Sequence, residues 1–378
     1  MSLLDEASLI VTPNGYKASK LYSVKPTDGS GDMVVSRATT ATRVNSSGII
    51  ELMPIDVPRL DYTLGGCPSI LVEPLRTNLV LYSEEFDNAA WVPVSSTITA
   101  NAAISPSGAT NAETMTIVDS NSRVAQAITL GAGTYRVSVY VKVISQTTAG
   151  TIRLQSIVDG SNVNVSFTPT TEWQRVEGTF TAAVGITSFL IRGNASAFVG
   201  TIAIWGFQVE AGSNATSYIP TTSASVTRNA DQISLGNVYT NNLITASGGT
   251  WFVEFRNNVP LTRDSNTVGL NLDTSLGANG FAIRNNASAT RLTISKYIAS
   301  SRTDLYVTTT NTCKIAIKWN GTTADIFENG AKVVSATAFT TTAMEVINGF
   351  SADVTRYINQ MALFPTALTD TQCTQLTT

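Results

Sequence analysis

Tyr135-Arg-Val-Ser-Val-Tyr-Val-Lys-Val143 decides the fold class. Tyr135, Val137, Val139, Val141 and Val143 share one parity. Arg136, Ser138, Tyr140 and Lys142 share the other. A period of two places successive side chains on opposite faces, so this is a strand with one buried face. The pattern recurs outward along the chain. Ala203, Trp205, Phe207 and Val209 form one expected face, with Ile202 and Ile204 opposite. Trp251, Val253 and Phe255 alternate with Phe252, Glu254 and Arg256. Cys313, Ile315, Ile317 and Trp319 alternate with Lys314, Ala316 and Lys318. Asn320-Gly321 and Asn329-Gly330 are tight-turn signals on either side of Ala324–Phe327, which predicts a three-strand meander. Short strands with no amphipathic helix between them predict antiparallel sandwiches. One short helix is expected near the end: Thr369 as N-cap, Gln372 completing a capping box, and Leu368 with Cys373 as a hydrophobic staple.

Before this alternation the chain is irregular. Turn signals fall at Pro13-Asn14-Gly15, Asp28-Gly29-Ser30-Gly31, Ser46-Ser47-Gly48 and Gly65-Gly66-Cys67-Pro68. Apolar runs such as Met33-Val34-Val35 are short. The expected architecture is all-β: an extended N-terminal arm over 1–78, then two antiparallel β-sandwich (jelly-roll) domains over 79–235 and 236–378. At 378 residues the chain exceeds one ordinary core.

Composition narrows the function. Hydrophobic residues make up 43% and charged residues 13%, with Thr, Ser, Asn and Gly filling the polar positions. Such surfaces suit sugar hydroxyls or neighbouring subunits. A net charge of −3 gives no reason to expect nucleic acid. No stretch approaches the ~20 apolar residues of a membrane span. There is no histidine, which removes the commonest general base, zinc ligand and Ser–His or Cys–His nucleophile. The three cysteines, Cys67, Cys313 and Cys373, are odd in number and widely spaced, so neither a disulfide framework nor a zinc site is expected. Cys313 and Cys373 fall at packing positions. No basic region opens the sequence, which points to folding in a reducing cytosol.

Three stretches carry a resemblance. Lys20-Leu-Tyr-Ser-Val-Lys-Pro26, Ser36-Arg-Ala-Thr-Thr-Ala-Thr-Arg-Val-Asn45 and Pro58-Arg-Leu-Asp-Tyr62 resemble the start of a group of phage structural proteins. So do Gly65-Gly-Cys-Pro-Ser69, Glu73-Pro-Leu-Arg-Thr-Asn-Leu79 and Tyr82-Ser-Glu-Glu-Phe-Asp87. Trp205-Gly-Phe-Gln-Val-Glu-Ala-Gly212 with Ala215-Thr-Ser-Tyr-Ile-Pro220 looks like the closing strand of carbohydrate-binding-module jelly rolls. Lys318-Trp-Asn-Gly321, Phe327-Glu-Asn-Gly330 and Met361–Asp370 resemble laminin-G or concanavalin-like sandwiches. The first resemblance implies a tail, fibre or head-decoration subunit in a virion, made in the bacterial host cytoplasm and released by lysis. Residues 1–78 would then engage other phage structural proteins, and a homo-oligomer is expected, a trimer first. Two alternatives stand beside it: a tail polysaccharide depolymerase, and a free bacterial lectin.

Candidate residues follow. Aromatic rings are the usual platforms for a pyranose. Tyr140, on the less apolar face of its strand, leads; Trp251 and Tyr297 follow, while Trp173, Trp205 and Trp319 alternate with core residues and are expected to pack. No catalytic residue is expected, and no cofactor beyond structural calcium. The carbohydrate-binding-module resemblance offers Glu85 and Glu210 as a calcium pair between the two ends of the middle sandwich. A solvated turn and strand end is the competing reading of the same carboxylates. Asp28-Gly-Ser-Gly-Asp32 starts like a calcium loop, but Met33 stands where that loop needs glycine.

Overall fold

The computed structural model describes residues 2–158, 161–194, 198–245, 247–256, 265–271, 279–286, 288, 291–310, 312–340, 343–349 and 355–378. The protein is all-β, with antiparallel sheets throughout and two short helices among the described residues. Neither helix is long and apolar enough to cross a membrane. The chain divides into two compact units. One comprises Val44–Leu52 and Arg76–Arg228; the other comprises Met1–Arg43, Met53–Leu75 and Asn229–Thr378.

The first, inserted unit is a sandwich of two five-stranded sheets. One sheet runs Val92–Val94, Arg123–Leu130, Gly185–Gly193, Ile152–Val158, Ser161–Phe167. The other runs Ile98–Ala103, Ala112–Ile117, Val199–Ala211, Gly133–Thr148, Gln174–Ala182. Val137, Val139 and Val141 point inward, as their parity requires, and meet Val124, Leu154 and Ile191 of the facing sheet. Trp91 closes one end, with its ring centroid 4.8 Å from Phe86 and 5.1 Å from Phe207.

One face of this unit differs from the sequence reading. Ile202, Ile204, Phe207 and Val209 enter the core, whereas Trp205 lies on the opposite side. The cause is Gly206, at φ +64°. Beside it the pairing with Gly133–Thr148 shifts register between Ser138 and Tyr140. A β-bulge with glycine in the left-handed region adds one residue and reverses the parity of everything beyond it. A Cβ at Gly206 would also come within 3.2 Å of the Tyr218 ring and 3.3 Å of the Tyr140 ring.

The second, terminal unit packs a larger sheet on a five-stranded one. The larger sheet runs Ala331–Ala338, Thr323–Glu328, Thr312–Trp319, Gly249–Arg256, Arg356–Phe364, Ser69–Val72, Arg59–Asp61, and Leu9–Val11 also pairs with Arg356–Phe364. The five-stranded sheet is Ser301–Val307, Arg291–Ile298, Gly280–Asn286, Ser265–Asn271, Val346–Gly349. Trp251, Val253, Ile315, Ile317 and Trp319 meet Phe281, Ile283, Ile294 and Ile347 in one core. The meander and the helix Asp370–Thr377 form where expected. The Thr369–Gln372 capping box is complete, and Cys373 is buried with Phe252, Phe327 and Leu368 on the sheet's other face.

Residues 1–78 are not an extended arm. Leu9, Val11, Leu21, Met33, Val35, Ile70 and Val72 belong to the same core as Trp251. The domain limits expected at 78 and 235 are replaced by a unit made from three chain segments. Strands of two to four residues carry too few periods to show their buried face. Residues of the N-terminal motifs account for part of this weave. Arg37, Arg59 and Glu73 gather around Asp231, all at most 3% exposed. Arg37 Nη1 lies 2.9 Å from Asp231 Oδ1, and Arg59 Nη1 lies 2.7 Å from Glu73 Oε2; Arg59 Nη2 also pairs with Asp231. The Glu73 amide donates to Asp231 Oδ2 at 2.9 Å. Arg37 further donates to the carbonyls of Thr39, Pro54 and Val57. Burial disfavours the charge of Arg59, yet Asp231 and Glu73 outweigh that and hold its pKa above the ordinary value.

Candidate glycan-contact face

In the inserted unit the strand Gly133–Thr148 carries Arg136, Tyr140 and Lys142 on the parity opposite its core valines. Its neighbour Gln174–Ala182 buries Val176, Phe180 and Ala182, which leaves Arg175, Glu177 and Thr179 on the same side as Tyr140. The register sets Tyr140 opposite Arg175, Ser138 opposite Glu177 and Arg136 opposite Thr179.

Two aromatic rings are half-buried on this face. The Arg175 guanidinium lies 5.5 Å from the Tyr140 ring centroid, and the Lys142 ammonium lies 5.5 Å from that of Trp173. Trp173 is oriented by its indole N–H, which donates to the Ile104 carbonyl at 3.2 Å. Arg136 is paired with Glu177 at 2.6 Å and donates to Thr179 Oγ1 at 2.6 Å; Arg175 donates to Ser138 Oγ at 3.0 Å. The result is a pair of rings framed by charged donors and acceptors that already hold one another in place.

The floor is rigid. Tyr140 meets Trp205 edge-on at 5.6 Å, and Trp205 meets Tyr218 at 4.4 Å. The Tyr218 hydroxyl donates to Glu84 Oε1 at 3.0 Å and bonds Ser83 Oγ at 2.6 Å; Asn111 donates to Glu84 Oε2 at 2.8 Å. Burial, then the Glu84 carboxylate, push the Tyr218 phenol well above its ordinary pKa, so it stays a neutral donor. Burial raises Glu84 as well.

The other sequence candidates do not join this face. Trp251 is 1% exposed and lies in the core of the terminal unit. Tyr297 is 7% exposed. Neither offers a free ring surface: Trp251 shares the parity of the core residues Val253 and Phe255, and Tyr297 is itself buried. Glu85 is exposed, whereas Glu210 is fully buried and engaged. Glu210 accepts from Gln208 Nε2 at 2.8 Å, from the Thr216 amide at 2.8 Å and from Thr216 Oγ1 at 2.7 Å. It thus braces the turn after its strand. Among the described residues no group of three or more Cys, Asp or Glu side chains could hold a metal ion. The three cysteines are unpaired; burial pushes the thiols of Cys313 and Cys373 up to about 12, which keeps them inert.

Trp173 had been expected in the core. The signal against that reading was present: Trp173 shares parity with Arg175 and Glu177, not with Val176 and Phe180. Arg136 and Arg175 were legible only as the polar face of a strand.

No protein-family profile matches the sequence, and no curated protein matches it. Partial likenesses to solved structures were found. TmCBM61, solved with β-1,4-galactotriose, is 17% identical over 36% of this chain and 99% of its own, with a TM-score of 0.29. The CBM22-1–CBM22-2 tandem of Xyn10C from Paenibacillus barcinonensis is 11% identical over 76% of this chain and 98% of its own, at 0.29. The binding domain of botulinum neurotoxin DC, solved with rat synaptotagmin II, is 13% identical over 39% of this chain and 40% of its own, at 0.30. The fold described above rests on the strand pairing itself.

Proposed function

We propose that this chain is a non-enzymatic adhesion subunit of a phage particle, and that the Tyr140–Trp173 face of its inserted unit contacts neutral glycans. One observation carries the binding part: two half-buried rings stand on one sheet face, each beside a cation, over a floor of Trp205 and Tyr218. A sugar's C–H face can lie on such rings, while Arg136, Arg175 and Glu177 offer hydroxyl partners. The phage-type motifs around Arg37, Arg59 and Glu73 support the virion part. Contact through one such face is weak, and many copies on a particle would supply avidity. A homotrimer is the expected assembly.

A glycan array probed with the full chain tests the reading. Tyr140→Ala and Trp173→Ala should each weaken the strongest signals about tenfold, roughly 1.4 kcal/mol. Unchanged binding by both variants would sink the assignment of this face. Mass spectrometry of purified particles should find the chain, and light scattering should give a trimer. New reducing ends on incubation with polysaccharide would instead identify a depolymerase.

A further inference from the structure

The other sheet of the inserted unit carries a row of three arginines. Arg123 pairs with Arg192 across one strand junction, and Arg192 pairs with Arg153 across the next. Their neighbours Val124, Ile191 and Leu154 point into the core, so strand alternation directs the three guanidiniums to the opposite, outer face. All three side chains are partly exposed. Like charges directly opposite one another destabilise a sheet, so the row needs a reason.

No carboxylate among the described residues pairs with any of them. Arg192 Nη2 donates to the Ser120 carbonyl at 2.6 Å and Nη1 to Gln155 Oε1 at 3.4 Å; Arg123 Nη1 donates to the Asn121 carbonyl at 3.2 Å. These partners are neutral. The nearby Asp119 is spent on its own turn, accepting from the amides of Asn121 at 2.8 Å and Ser122 at 2.9 Å. The Nε groups of Arg153 and Arg192 are buried with no hydrogen-bond partner. Burial, then Arg123 and Arg153, lower the pKa of Arg192. The chain as a whole is acidic, at −3, so the row is a local exception.

We infer that the Arg123–Arg192–Arg153 row is a binding site for a linear carboxylated polysaccharide. Adjacent strands are about 4.8 Å apart, so the row spans roughly 10 Å. A single oxyanion fills one guanidinium fork, whereas three forks in line suit charges repeated along a polymer. A duplex nucleic acid would call on many more cations than this face supplies. The inference takes only its ligand class from the adhesion reading and uses a different sheet.

The test is native affinity electrophoresis of the full chain through gels containing polygalacturonate, neutral dextran, duplex DNA or inorganic phosphate. Polygalacturonate should retard the wild-type chain at low salt, and dextran should not. Arg123→Gln/Arg153→Gln/Arg192→Gln should weaken that retardation by at least about tenfold. Tyr140→Ala should leave it unchanged, which separates this site from the neutral-glycan face. Melting temperatures of the variants establish that they fold. Equal retardation of wild type and triple variant, retardation by DNA as strong as by polygalacturonate, or saturation of the row by millimolar phosphate would each overturn the assignment.

Discussion

Two sets of arginines in this protein are opposites. In the terminal unit Arg37 and Arg59 are fully buried and held by Asp231 and Glu73. In the inserted unit Arg123, Arg153 and Arg192 are partly exposed, and among the described residues Arg123 and Arg192 donate to neutral oxygens. Removing a guanidinium from water is costly, and Asp231 and Glu73 offset that cost for Arg37 and Arg59. A half-exposed one can wait for a ligand, because water still solvates it. The difference separates an arginine that builds the fold from one left available for contact. Glu113 is a third case. It is 2% exposed, and burial followed by the adjacent Asp87 pushes its pKa up to about 8. A buried acid without a cation keeps its proton instead.

The comparison can be broken most sharply at Asp231. Asp231→Asn strips the shared counter-charge from two buried guanidiniums and should cost about 3–5 kcal/mol of unfolding free energy. Urea titration would check it, and a loss below about 1 kcal/mol would mean that water reaches the cluster. Glu113 gives a smaller, pH-dependent effect. Its folded pKa lies above the unfolded value of 4.5, so its contribution is fully present below about pH 4.5 and is lost as pH rises through about 8. Stability should therefore fall as pH rises across that window, and Glu113→Gln should flatten the profile. A variant that keeps the wild-type slope would assign the proton to another group. The smallest effect is expected at the arginine row. Arg192→Gln removes the central like charge and should raise stability by about 0.5 kcal/mol at low salt, with the gain vanishing as salt screens the wild-type repulsion. A destabilised Arg192→Gln would show that the bond to the Ser120 carbonyl outweighs the repulsion.

The parts of the fold that follow from local periodicity were legible in the sequence. The valines of Gly133–Thr148, the meander after Cys313 and the capped helix at Thr369 each need only a few neighbouring residues to announce themselves. Tyr140 was legible for the same reason. What stayed hidden depends on distant pairings. Arg59 meets Asp231 across 172 positions, and Glu73 meets Thr355 across 282. No window of sequence shows such partners, so the N-terminal strands read as an arm. The face of Trp205 was misread because one glycine bulge inverts the alternation after it. The arginine row was invisible because Arg123, Arg153 and Arg192 come together only through strand order.

The division of the terminal unit into three chain segments has a consequence for how the protein is made. Leu9, Ile10 and Val11 pair with Leu363, Ala362 and Met361, so these two strands can meet only after the whole stretch between them has been synthesised. The inserted unit, largely one stretch from Arg76 to Arg228, can close during synthesis. Until the ribosome reaches the C-terminal strands, Leu9, Val11, Met33 and Val35 lack the core that buries them. Nascent chains are thus expected to carry this apolar segment unpaired until the strand that holds Met361, Ala362 and Leu363 is made, which is the stage at which a chaperone would act on them.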